Sequence, residues 1–206
     1  MLLKMLLELG LYVNCFFHYP IFSMLQCMFL YFYLLYKSSN LGRILLVIYH
    51  LSVVFDQSPS KGGWDDNTNP FKLFNLAIIP NMHFKYRELC RSVPIYKLLA
   101  MYFRNIQLIK TSNLKPDKNY LFLYHPHGII SMGANIALST NGCDFSTHFP
   151  GIHRSAVTLN ATFLVPFYRE WLLMLGFISS SKSSIVKKLT TSNPVHKSVV
   201  LVPGKI

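Results

Sequence analysis

Between Glu8 and Lys37 the chain runs for 28 residues, Leu9 to Tyr36, without a single Asp, Glu, Lys or Arg, and the stretch is rich in Leu, Phe and Tyr. A helix crossing the hydrocarbon core of a bilayer needs ~20 such residues, and a helix of a soluble core keeps a polar face that this run lacks. A cleaved signal peptide has a shorter apolar core of ~7–15 residues and a small-residue cleavage site. The run therefore reads as a membrane anchor that stays. After "KSSNLGR" a second apolar stretch, Ile44 to Phe55, is short for a span of its own and reads as the returning arm of a hairpin or as an interfacial segment.

From Asp56 the composition changes to "FDQSPSKGGWDDNTNP", a cluster of turn residues that marks the boundary between anchor and domain. Lys and Arg outnumber Asp and Glu two to one from Asp56 to Tyr124, which by the positive-inside rule places this part in the cytosol. The whole chain of 206 residues has a net charge of +12, with 51% hydrophobic residues. Strong positive charge with high apolar content points to anionic membrane lipid or a phosphorylated substrate. No zinc-finger, RNP or helix-turn-helix signature supports a nucleic-acid partner. Cys15, Cys27, Cys90 and Cys143 form no C-x-x-C pair and read as ordinary apolar residues of a reducing compartment.

The rest alternates short apolar runs with helical spacing. Ile106–Lys110, Tyr120–Tyr124, Ser155–Leu159 and Ser198–Val202 read as buried strands, and Pro166–Gly176 as a helix opened by proline and closed by glycine. Such alternation predicts an α/β fold with a largely parallel sheet. "YHPHGI", Tyr124 to Ile129, then puts His125 and His127 at the carboxyl end of a strand, where open α/β sheets bind ligands. Strand alternation aims both to one side. Pro126 stiffens the turn, and Gly128 admits close approach of a substrate to the backbone.

Three readings compete for the histidines. They are structural and bonded to nearby backbone, or two ligands of a metal completed by His148, His153 or His196, or an imidazole base that deprotonates an alcohol. The barrel version of the metal reading needs ~250 residues.

The segments "YFRNIQLIKTSNLKPDKNYLFLYHPHGI" and "FPGIHRSAVTLNATFLVPFYREWLLMLGFISSSKSSI" resemble the diacylglycerol O-acyltransferase type 2 family, which includes monoacylglycerol and wax-alcohol acyltransferases. The likeness rests on the lead-in before the histidines, the H-P-H-G block at His125–Gly128, the F-P-G-I block at Phe149–Ile152 and the P-x-x-R-E block at Pro166–Glu170; "FDQSPSKGG" is similar to the segment after the family's membrane hairpin. The resemblance implies an endoplasmic-reticulum membrane enzyme that moves a fatty acyl group from acyl-coenzyme A, a co-substrate, to diacylglycerol or a related acceptor. It implies no metal and no further cofactor, and is compatible with a homo-oligomer.

On that reading His125 or His127 is the base, with His127 favoured because it adjoins Gly128. Pro126, Gly128, Arg169 and Glu170 belong to the substrate-binding site, with Arg169 as the contact for phosphate or headgroup. The broader glycerolipid acyltransferases orient their base with the acid of H-x-x-x-x-D; here the corresponding positions are Ile130 and Met132, which leaves Glu170 as the candidate carboxylate. The expected organisation is an anchor over 1–55, a linker with insertion over 56–101 and a partial acyltransferase domain over 102–206. The family continues past "VVLVPGKI" into a Gly-Gly-x-x-Glu block, so a C-terminally truncated, incomplete domain is expected. An inactive fragment associating with a full-length partner is the second expectation.

Overall fold

The computed structural model describes residues 20–63, 82–103, 106–127, 131–190 and 197–204. The first part of the apolar run, Leu9–Tyr19, lies outside them, as do Gly128 and His196.

Two helices, α1 (Pro20–Lys37) and α2 (Asn40–Phe55), form the expected hairpin. Ser39 caps α2 by accepting from the Gly42 amide at 3.3 Å. Arg43 reaches back to donate to the carbonyls of Leu35 (2.9 Å) and Tyr36 (3.1 Å), satisfying acceptors that the end of α1 leaves without partners. Tyr31 donates to the Leu46 carbonyl at 3.4 Å and its ring lies 5.3 Å from that of His50, so the arms run antiparallel. At ~1.5 Å per residue they are about 27 and 24 Å long. Their outer surfaces are bare hydrocarbon: Phe29 is 73% and Phe55 77% exposed, with Leu41, Ile44, Ile48 and Leu51 beside them.

Among the described residues, one helix is long and apolar enough to cross a membrane, Asn40–Lys61, with mean hydropathy 1.2 and only 11% of it buried. The arm that looked short in sequence gains length because its helix starts four residues before Ile44; it ends at Phe55, where Asp56 is extended, and a separate short turn, Pro59–Lys61, follows.

Beyond the hairpin, four strands form one wholly parallel sheet in the order β1 (Leu121–Leu123), β4 (Lys197–Leu201), β2 (His153–Thr158), β3 (Ile178–Ser179). The connection from β1 to β2 carries a helical turn, α5 (Met132–Ala134), a π-helical stretch Asn135–Ser139 and α6 (Phe145–His148). That from β2 to β3 carries a 3-10 turn, Asn160–Leu164, and α7 (Tyr168–Met174). The last crossover is α8 (Lys182–Thr190). Pro166 precedes α7 and Gly176 follows it in the left-handed region at φ 82°, as the sequence predicts.

Two strand expectations change. Ile106–Lys110 is not a strand: it joins no ladder, and Ile109 is 74% exposed. Tyr120–Tyr124 does contain a strand, but β1 lies at the sheet edge, so Leu121 (47%) and Leu123 (58%) stay exposed while Val199 and Val200 of neighbouring β4 are sealed.

Within the stretch 56–101 expected as linker, α3 (Met82–Arg91) and α4 (Pro94–Tyr102) are helices packed into the domain. Tyr96 and Leu99 of α4 are buried against Ile136. At the end of α3, Glu88 and Arg91 meet Arg154 of β2. Arg91 bonds to Glu88 Oε1 at 2.9 Å, to the Leu175 carbonyl at 2.7 Å and to the Arg154 carbonyl at 2.8 Å. Glu88 Oε2 accepts from Ser146 at 2.6 Å and Asn141 at 3.1 Å, and Arg154 bonds to Asn141 Oδ1 at 2.7 Å while lying 4.1 Å over the Phe145 ring. Burial alone raises the Glu88 pKa, but the two guanidiniums and two hydrogen bonds outweigh it and hold the carboxyl at about 2. Burial, with Arg91 adding, draws Arg154 down to about 9 against the pull of Glu88. One carboxylate thus holds two buried cations and ties α3, β2, α6 and the end of α7 together.

Candidate active site

In a parallel sheet all carboxyl ends share one edge, and the histidines emerge there. The β1–β4 pairing extends through the Tyr124 amide, which donates to the Leu201 carbonyl at 3.0 Å. The strand itself ends at Leu123, so the alternation that aimed both histidines to one side does not reach them. His125, Pro126 and His127 are all exposed to solvent.

What holds the turn is a residue the sequence reading passed over. Ser131, in the left-handed region at φ 52°, donates its hydroxyl to the His127 carbonyl at 2.9 Å, and the same oxygen lies 3.4 Å from His127 Nδ1. A hydroxyl has one proton. With that proton on the carbonyl, Ser131 faces Nδ1 as an acceptor, which favours the tautomer with Nδ1 protonated. The signal in sequence is H-x-x-x-S, one position short of the H-x-x-x-x-D spacing. The return of the chain is close-packed as well: a Cβ at Gly133 would overlap the Tyr124 hydroxyl, so glycine lets α5 sit against the end of the strand.

Arg169 and Glu170 open α7, which follows β2 from the same edge. Arg169 is 3% exposed and pairs with Asp56, just past α2, and with Glu170 at 3.0 Å. Glu170 accepts from the Tyr49 hydroxyl of α2 at 2.6 Å; that hydroxyl accepts from the Phe167 amide at 2.8 Å, and the Tyr49 and Phe167 rings stack at 5.5 Å. The structure thus joins these two residues to the hairpin. Gly128 lies outside the described residues.

His153 starts β2 at the amino edge, the opposite end of the sheet from His125 and His127, and burial lowers its pKa. Among the described residues, no three His, Cys, Asp or Glu side chains gather where a metal ion could sit.

The edge therefore offers exposed imidazoles on a turn stitched by Ser131, in a domain whose α7 is bonded to an apolar hairpin. An imidazole exposed to solvent is a group that can take up and release a proton near neutral pH. No solved structure matches the chain. Diacylglycerol O-acyltransferase 2A of Umbelopsis ramanniana is 35% identical over 178 residues, covering 86% of this chain and 44% of its own length. Diacylglycerol O-acyltransferase 1 of Schizosaccharomyces pombe is 47% identical over 114 residues (55% and 32%), and diacylglycerol O-acyltransferase 2 of Homo sapiens 31% over 162 residues (78% and 36%). The chain spans less than half the length of these curated relatives. The family model for diacylglycerol acyltransferase matches residues 71–206, including α3 and α4 in the stretch expected to hold an insertion, and on that match the chain belongs to the diacylglycerol acyltransferase family.

Proposed function

We propose that this chain carries the acyl-transfer site of a membrane-bound enzyme that moves a fatty acyl group from acyl-coenzyme A to the hydroxyl of diacylglycerol. The observation that carries the reading is the H-P-H turn at the carboxyl edge of a parallel sheet, in a member of this family, on a domain bonded to a bare apolar hairpin.

His127 is the base. Nε2 takes the acceptor's hydroxyl proton, the oxygen adds to the thioester carbonyl, the tetrahedral intermediate collapses with loss of the coenzyme A thiolate, and the imidazolium returns the proton to that sulfur. The contact with Ser131 supports His127 over His125, which orients substrate in the same turn. A diacylglycerol acceptor dissolves in the bilayer, so the site belongs at its surface, and the net charge of +12 attracts the phosphates of the donor. The hairpin anchors the chain in the endoplasmic-reticulum membrane with the α/β domain in the cytosol.

The test is incorporation of labelled oleoyl-coenzyme A into triacylglycerol by membranes carrying the chain. Incorporation above that of a His125→Ala/His127→Ala control is expected. Equal incorporation rejects intrinsic activity.

A further inference from the structure

The hairpin and the α/β domain are joined by more than the chain that links them. Arg169, almost wholly buried, takes one carboxylate from each side of the junction, Asp56 at the end of α2 and Glu170 on its own helix. Tyr49 donates to the second of these and accepts from the Phe167 amide, so both oxygen atoms of Glu170 are used, one by each partner. Asp56 also accepts from the Ser58 amide (2.8 Å) and hydroxyl (2.6 Å), fixing the exit from α2. Just beyond, Ser184 and Lys188 of α8 donate to the carbonyls of Pro59 (2.9 Å) and Gly62 (2.8 Å). Under this layer, Met24, Cys27 and Met28 of α1 pack on Phe163, Val165, Tyr168, Leu172 and Leu173.

A flexible anchor needs none of this. Domains joined by a linker move relative to each other unless a substantial interface holds them, and here the linking segment is itself bonded to the domain. We propose that Arg169 is a positioning residue, a latch with Asp56, Glu170 and Tyr49 that fixes the α/β domain on its hairpin and so sets the height of the sheet's carboxyl edge above the bilayer. The role for catalysis rests on the function proposed above; the latch itself does not. With the edge held at the membrane surface, His127 meets a hydroxyl confined to the lipid. With the latch open, the water-soluble donor still reaches the site and the acceptor does not.

The chain has two tryptophans, and Trp171 lies two residues after Arg169. In a Trp64→Phe background, Trp171 fluorescence in vesicles of phosphatidylcholine with brominated acyl chains reports how close α7 sits to the bilayer. The folded Asp56→Asn and Arg169→Met chains are expected to lose about half of the quenching, as the domain is freed to move. Tyr49→Phe, which buries no new charge, is expected to shift it in the same direction by less. Should Arg169→Met fail to fold, Asp56→Asn and Tyr49→Phe decide. Unchanged quenching in those two, with unchanged far-UV circular dichroism, overturns the latch. In the transfer assay KM for diacylglycerol is expected to rise about tenfold in Asp56→Asn, with KM for oleoyl-coenzyme A unmoved; an equal rise in both overturns the positioning role. If the unsubstituted chain transfers no acyl group, the proposed function fails while the quenching still decides the latch.

Discussion

Replacing Glu88 by Gln keeps the shape of the side chain and removes the one carboxylate that faces two buried guanidiniums. Arg91 and Arg154 are each 2% exposed, and their ion pairs with Glu88 measure 2.9 and 3.8 Å. Breaking a buried pair by removing one partner costs ~3–5 kcal/mol, because the remaining charge is left in a medium that solvates it poorly. Here the lower end applies, about 3 kcal/mol, since Arg91 retains the Leu175 and Arg154 carbonyls and Arg154 retains Asn141.

The folded-state pKa of Glu88, about 2 against an ordinary 4.5, gives a similar figure: a gap of about 2.5 units at 1.36 kcal/mol each is again ~3 kcal/mol. For a domain of this size that is a fall of roughly 10 °C in melting temperature, read by far-UV circular dichroism of the purified chain in detergent. A Glu88→Gln/Arg154→Met double variant, with one cation fewer, is expected to lose about 1–2 kcal/mol less than the sum of the single variants. A Glu88→Gln chain melting within about 2 °C of the parent refutes the reasoning.

Acid acts on the same cluster. The carboxyl of Glu88 is depressed in the fold, so its contribution is complete above pH 4.5 and is lost as pH falls from there toward 2. His153 is also depressed, by burial first, so the unfolded chain takes up its proton before the folded one and stability already declines as pH drops through 6.5; a pH series of melting temperatures that stays flat between 7 and 3 contradicts both. At Gly142 a Cβ would stand 2.7 Å from an Ile136 methyl and 2.8 Å from the Tyr96 backbone oxygen. Gly142→Ala is expected to cost about 1–3 kcal/mol in a chemical denaturation measurement. Ser131→Ala removes the acceptor facing His127 Nδ1 and is expected to lower kcat about fivefold with little change in melting temperature, the worth of one modest hydrogen bond.

Local signals carried the reading of the fold as far as local physics decides structure. Ser155–Leu159 and Ser198–Val202 are compact apolar runs and become β2 and β4; proline and glycine bracket α7 because each suits its own helix end. Ile106–Lys110 also reads as an apolar run, yet it carries Gln107 and Lys110 and joins no ladder, the strand next to β1 being β4. Leu121 and Leu123 read as buried, yet their exposure is set by the order of the sheet, which no window of sequence contains. β3, at two residues, is too short to show a pattern.

The site divides the same way. The histidines were visible as a motif, and Ser131 was close enough in sequence to have been found by its spacing. The partners of Arg169 and Glu170 lie 113 and 121 residues away, in Asp56 and Tyr49, and only tertiary structure brings them together.

The central claim is that one imidazole of the turn at the carboxyl edge performs acyl transfer. The direct measurement is the initial rate of labelled triacylglycerol formation by the purified chain, reconstituted with dioleoylglycerol and saturating oleoyl-coenzyme A, for the parent, His125→Ala and His127→Ala. A drop of about 100-fold or more in His127→Ala, larger than in His125→Ala, is predicted for loss of the general base. Equal rates in all three chains contradict the account.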